Sequence, residues 1–313
     1  MVRYTVRRLL LAIPTLLAVL TIIFVIVRVA PGDPATAALG DYASEEAVRA
    51  LRQRMGLDRP LWVQYVSFLA DLLRGDLGRS LITGQPVIDQ IRHVLPYTVE
   101  LTIAAIVVGL VIGIPIGIVT AVRRNTVVDY VGRVVSLAGL SVPAFYLGIL
   151  LIYFFAVKLR LFPALGAAEF SRPAAHLHAL VLPALSLGLI EAAYVTRMTR
   201  SVLLSVLNED YVRTARAKGL PERIVLFVHA LRSAMIPLVS LIGLFAISLI
   251  GGSVLTEEVF ARPGLGKLMI GAMKQKDYTM LQSIMVVYAF IIVLINLVTD
   301  LLYGVVDPRV RYK

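Results

Sequence analysis

The sequence predicts an all-α, polytopic membrane protein, and three observations carry that prediction. Hydrophobic residues make up 58% of the chain and charged residues only 16%, against roughly 45–50% and about 25% in soluble domains. Mean hydropathy is +0.84. Uncharged apolar runs recur along the chain, each near the ~20 residues that a helix needs to cross a bilayer.

Taken in order, those runs predict six transmembrane helices: Leu9–Val27, Thr98–Val122, Val134–Val157, Leu177–Val195, Met235–Leu255 and Leu281–Val305. The first follows Arg3, Arg7 and Arg8, as a signal peptide would. However, it is longer than the roughly 7–15 residues of a signal-peptide core, so it reads as an uncleaved span. The chain then divides into an N-terminus (1–8), a first helix (9–27), an extracytoplasmic domain (28–97), a five-helix core (98–305) and a C-terminus (306–313). Within the core, 196–233 is a long polar loop.

Orientation follows from the basic residues. With the N-terminus inside, the inside segments hold Arg3, Arg7, Arg8, Arg123, Arg124, Arg133, Arg197, Arg200, Arg213, Arg216, Lys218, Arg223, Arg232, Arg309, Arg311 and Lys313. The short outside segments hold only Lys158, Arg160, Arg172, Arg262, Lys267, Lys274 and Lys276. Excess Lys and Arg mark cytoplasmic loops, so both termini are expected inside. The same excess accounts for the net charge of +11 without any nucleic-acid partner.

The 28–97 segment opens on the turn cluster Pro31-Gly32-Asp33-Pro34. Ala43–Met55 is helix-like, with Ser44 as its N-cap. Leu61, Trp62, Tyr65, Phe68, Leu69 and Leu72 recur at helical spacing, which suits a structural cap on the span ends or a partner-docking surface.

Chemistry-bearing residues are sparse. The four histidines His93, His176, His178 and His229 form no metal-ligand spacing, and the chain has no cysteine. Ala261-Arg262-Pro263-Gly264-Leu265-Gly266-Lys267 lacks the spacing of a phosphate loop. Glu191, within the fourth span, has two readings: a pathway or gate residue, or an ion pair with Arg197 or Arg200. Asp300 is similar, and Glu100 falls near the outer interface. Gly109, Gly113 and Gly117 stand four apart, a row suited to close helix packing. With Pro115 nearby, the row also fits an interrupted helix of a proton-coupled secondary transporter. That carrier is the alternative function.

The loop 196–233 is the most informative stretch. Leu203–Lys218 favours helix, Gly219 is placed to end it, and Pro221 fits the first turn of a second helix with Glu222 at its positive end. Two helices meeting at a bend on the basic side suit docking of a soluble partner better than contact with lipid.

Here the sequence resembles the EAA loop of binding-protein-dependent ABC importer permeases, Glu-Ala-Ala-x-x-x-Gly-x-x-x-x-x-x-x-x-x-Ile-x-Leu-Pro. Arg213 and Thr214 take the first two positions, Ala215 and Gly219 match, and Leu231 matches between His229 and Arg232. This variant, with Ile236-Pro237 following, resembles the dipeptide/oligopeptide/nickel subfamily. So do Arg7-Arg8-Leu9, Pro31–Pro34, Leu95–Glu100, Ser141-Val142-Pro143 and Asp307-Pro308-Arg309, all in the order of its first permease subunit.

The resemblance implies a non-catalytic subunit of the bacterial or archaeal cytoplasmic membrane that binds no cofactor itself. It implies a homologous second permease, two cytoplasmic ATPases holding ATP and Mg, and an extracytoplasmic binding protein. Asp210, Arg213, Thr214, Ala215, Arg216, Ala217, Lys218, Gly219 and Pro221 would then form the ATPase contact. Polarity within the spans nominates Ser141, Pro143, Tyr146, Glu191 and Tyr194 for the pathway. Trp62, Tyr65, Glu257, Glu258, Arg262 and Lys267 are the expected binding-protein contacts. Di- or oligopeptides are the expected cargo, with nickel or another small cargo as the variant.

Overall fold

The computed structural model describes residues 2–29, 34–39 and 44–306. The helices in order are α1 (Val2–Val29), α2 (Pro34–Leu39), α3 (Glu45–Arg54), α4 (Leu61–Leu73), α5 (Val87–Val122), α6 (Val127–Ser141), α7 (Ala144–Leu151), α8 (Pro173–Leu207), α9 (Asp210–Ala217), α10 (Glu222–Ile224), α11 (Leu231–Val259), α12 (Leu265–Lys274) and α13 (Tyr278–Val306). α7 continues in wider π geometry through Ile152–Lys158, and α10 does so through Val225–Ala230. The Pro31–Asp33 turn cluster and the Asp307-Pro308-Arg309 tail lie outside the described residues.

Among the described residues, five helices are long and apolar enough to cross a membrane, and α6 with α7 and its continuation, bent by 98° at the break, adds a sixth if the pair is counted as one span. The sequence predicts one straight helix over 134–157. The break falls at Val142, whose extended backbone (φ −96°, ψ 123°) is what a residue before proline adopts, because Pro143 clashes with it in the α region. The second span also begins earlier than Thr98, at Val87. Its polar lead-in, with Asp89, Arg92 and His93, hides that stretch of helix from a hydropathy reading.

The chain forms two compact units, one of Met1–Thr5, Tyr97–Pro263 and Ile295–Lys313, the other of Val6–Pro96 and Gly264–Leu294. In the first, α8 is the interior helix, with 67% of its most apolar stretch buried. It lies against α5 almost backbone to backbone. A Cβ added at Gly109, Gly113 or Gly117 would come within 2.8, 2.6 and 2.6 Å of Glu191, Val195 and Thr199. The glycines on α5 and their partners on α8 both step by four, the small-residue packing that lets membrane helices approach closely. This is the packing reading of the glycine row.

In the second unit, Leu20 and Ile23 of α1 meet Val286 and Ala289 of α13. Val87 and Ile91 of α5 meet Leu265 and Ala272 of α12 with Met280 and Ile284 of α13. The hydroxyl of Ser80 donates to Asp277 at 2.5 Å, and Ser283 donates to the Leu77 carbonyl at 2.7 Å. The first outer segment is therefore not an autonomous domain; its core is completed by residues nearly two hundred positions further on. Ser44 caps α3 as expected, accepting the Ala47 N–H at 3.2 Å.

Candidate coupling helix and buried polar sites

α9 is short and amphipathic. Val212 and Ala215, three apart, share one helix face and are buried with Val225 from beyond the bend, beside Val206 and Leu207 of α8. Its end is a Schellman motif: the Gly219 N–H donates to the Arg216 carbonyl at 2.9 Å and the Leu220 N–H to the Ala215 carbonyl at 3.4 Å. Gly219 sits at φ +76°, where any other residue is strained. Pro221 then caps α10 from just outside it rather than within its first turn.

Arg216 closes the bend. Its Nε and Nη2 donate to the two oxygens of Glu222 at 3.1 and 2.7 Å, the forked geometry that suits guanidinium and carboxylate. These hydrogen bonds hold the Glu222 carboxyl below its ordinary range and the Arg216 guanidinium above its own. One sequence expectation changes here. Ala215 is only 6% exposed, so it seats the helix. Arg216 closes the clamp with its side chain still 40% exposed. Asp210, Tyr211, Arg213, Thr214, Ala217 and Lys218 stay exposed.

Among the pathway nominees, Ser141, Pro143, Tyr146 and Tyr194 are exposed along the broken span and α8. Glu191 is 6% exposed and makes no ion pair among the described residues. Its side chain looks into a small cavity lined by Ile106, Leu110, Val195, Ile242 and Phe245. The ion-pair reading fails because Arg200 is taken elsewhere. Asp129, fully buried, accepts Arg200 Nε at 2.6 Å and Nη2 at 2.9 Å, and the Asn125 N–H at 3.0 Å. Sequence reading passed over Asp129, because its partner lies 71 positions away.

The outer-face expectations need the largest correction. Glu257 and Arg262 are both 0% exposed and so are not available to a docking protein. Arg262 Nη2 donates to Glu100 at 2.6 Å, and His176 Nε2 meets the same carboxylate at 2.7 Å. His176 Nδ1 meets the Ala168 carbonyl at 2.6 Å. Thr98 donates to Glu257 at 2.7 Å, and the Arg262 guanidinium lies 5.5 Å from the Tyr97 ring centre. Burial pulls Arg262 down from its ordinary value, while Glu100 and Glu257 pull it back. Tyr65 is also committed, with its hydroxyl 2.6 Å from Thr21 and its ring edge-on to Phe24. Trp62 remains 70% exposed, and Glu258 and Lys267 are half-buried. Among the described residues no three His, Asp or Glu side chains gather as metal ligands.

Comparison with known proteins places this geometry. The family of binding-protein-dependent transport system inner membrane components matches residues 113–312, and its N-terminal counterpart matches 1–102. The dipeptide transport system permease protein DppB of Alkalihalophilus pseudofirmus is 40% identical, over 100% of both chains. The glutathione transport system permease protein GsiC of Pectobacterium atrosepticum is 42% identical, again over 100% of both. Among solved structures, the inward-facing MetNI methionine ABC transporter aligns at TM-score 0.55 and 22% identity, over 70% of this chain and 96% of that one. That last likeness is one of fold. The stand-alone carrier reading falls away, because these are components of multi-protein systems. The chain belongs to the binding-protein-dependent transport system inner membrane components, as the non-catalytic, multi-pass permease of an ABC importer whose ATPase and binding protein are separate proteins.

Proposed function

We propose that this permease imports di- or oligopeptides or a small peptide-derived cargo, paired with a homologous second permease above two ATPases. The observation that carries the coupling half of this reading is the construction of α9. A helix seated by Val212, Ala215 and Val225, ended by Gly219 and clamped by Arg216–Glu222 is a rigid lever with one polar face exposed, on which Arg213 pairs loosely with Asp210 at 3.6 Å. That face, Asp210, Arg213, Thr214, Ala217 and Lys218, is the proposed ATPase contact. The basic segments put it and both termini in the cytoplasm.

Closure of the ATPases on ATP would press α9. The seat passes that load to the end of α8 through Leu207, and the glycine row makes α5 and α8 move as one body. Rigid packed elements of this kind transmit a small displacement without absorbing it. Ser141, Pro143, Tyr146 and Tyr194 line the proposed pathway, where an isolated subunit should leave them uncovered, and Glu191 stands behind them in its wall. Of the proposed docking residues, Trp62 and Lys267 remain in one unit and Glu258 in the other. Peptide cargo is supported by the relatives, which are named for dipeptide and for glutathione transport.

The test is uptake of a labelled dipeptide by vesicles holding both permeases, the ATPases and the binding protein. A Gly219→Pro variant forces φ to about −65° and removes the N–H of the Schellman motif. It should assemble but not transport. Transport at the wild-type rate would overturn the coupling assignment, and wild-type vesicles that import no peptide would overturn the cargo.

A further inference from the structure

A cavity of about 300 Å³ opens between α5, α6 and α8, lined by Thr120, Gly132, Ser136, Leu137, Thr196 and three arginines, Arg133, Arg197 and Arg200. The charges do not balance. Behind the lining, Asp129 is held bidentately by Arg200 and lies 3.6 Å from Arg133 Nε. Arg197 is exposed and has no ion pair or hydrogen bond among the described residues. The hydroxyls on the wall are already spent on helix carbonyls: Thr120 donates to Ile116, Ser136 to Gly132 and Thr196 to Gly113. What the cavity presents is guanidinium, in surplus, at the rim of an otherwise apolar pocket.

Its position suits the headgroup level of the bilayer. The α5–α6 turn beside it carries Arg123 and Arg124, both exposed. Arg133 lies over the ring of Tyr130 at 4.4 Å, and Tyr with Arg is a pairing at home in the membrane interface. The outer face of α6 continues as exposed Val127, Val131, Val134 and Val135. A ligand here meets a forked cation first and an apolar helix face next. Guanidinium matches phosphate oxygens bidentately and is weakly hydrated, so it gives up water readily to bind them.

We propose that this cavity binds the phosphate headgroup of an anionic phospholipid, held by Arg133 and Arg197, while Arg200 serves Asp129 and the packing of α6 on α8. The site is separate from the pathway and from α9, and it uses none of their residues.

Native mass spectrometry of the full chain, with its partner permease and ATPases, measures this directly. Phosphatidylglycerol should be retained in preference to phosphatidylcholine. Arg133→Gln and Arg197→Gln should each weaken that retention roughly five-fold, the effect of one basic side chain at a charged membrane surface. Arg223→Gln, exposed and off the cavity, should leave it unchanged, and Arg197→Lys should keep part of it. Thermal melting of each variant separates lost binding from lost folding.

Three results would overturn the proposal. One is equal retention of the two lipids. Another is displacement of the lipid by millimolar inorganic phosphate, which would make the ligand a free anion. The third is binding only by the chain freed of its partner permease, which would give Arg197 to an acidic side chain of that partner.

Discussion

Two arginine–glutamate pairs in this chain have nearly the same length and opposite roles. Arg216–Glu222 closes at 2.7 Å with its side chains 40% and 59% exposed; Arg262–Glu100 closes at 2.6 Å with Arg262 fully buried. Exposed pairs contribute about 0–1 kcal/mol, because water screens them and competes for both partners. A buried pair gains little net stability as a pair, yet removing one partner strands a charge in a poor solvent. The first is thus suited to set the angle of a lever at small energetic stake. The second ties the body of α5 to the start of α8 and to the chain just beyond α11, and it is dangerous to disturb.

The largest expected effect tests the buried side. Arg262→Met leaves Glu100 facing His176 alone, and should lower stability by about 3–5 kcal/mol. Thermal melting of the detergent-solubilised chain would read this as a collapse of the folded fraction. Arg262→Met combined with Glu100→Gln should recover part of the loss, the buried Glu257 still lacking the cation beside it. A single variant as stable as the wild type would break the comparison.

The two sites also differ in how far a sequence reader can see them. Everything in the α9 bend lies within one stretch of chain: Gly219 ends a helix, Pro221 begins another, and Glu222 stands six positions from Arg216. Local rules of capping therefore find Gly219 as the helix end, though they run Leu203–Lys218 as one helix where the chain breaks between Leu207 and Asp210, and they do not pair Arg216 with Glu222. The glycine row is legible for the same reason, because a step of four is a statement about one helix. The Arg262 cluster joins residues 162 positions apart, and Asp129 finds Arg200 after 71. Nothing local marks which charge will meet which, so Arg262 and Glu257 read as surface residues and Asp129 is missed. The bend at Val142 fails differently. Its apolar run is continuous, and hydropathy cannot tell a straight helix from one that Pro143 has broken.

The next effect is on the lever itself. Gly219→Ala places a Cβ at φ +76° in open space, so the cost is backbone strain alone, about 1–2 kcal/mol. Melting should shift only slightly, but transport per ATP hydrolysed should fall because the Schellman end loosens. Unchanged coupling would mean that the seat under Val212 and Ala215 suffices without the glycine. Glu222→Gln should be milder for stability, less than about 1 kcal/mol, with a similar partial loss of coupling. Exchanging the charges, with Arg216→Glu and Glu222→Arg together, should restore it where either exchange alone does not. Failure of the double exchange would assign Arg216 to the ATPase after all.

The smallest effect is in pH, and it sets the limit of what the exposed clamp can do. Glu222 is held below its ordinary carboxylate range by Arg216. A depressed carboxyl contributes stability that is complete above its unfolded value near 4.3, and loses it as pH falls through the folded value below that. From pH 6 to 8 the clamp should therefore be insensitive to pH, and transport should show no dependence that tracks it. Below about pH 4 the bend should loosen, seen as faster amide exchange at Gly219 and Leu220, whose N–H groups close the Schellman motif. In Glu222→Gln that acid-induced step should vanish and the exchange should be fast at every pH. If the step persists in the variant, some other group is titrating and the clamp is not what holds the lever closed.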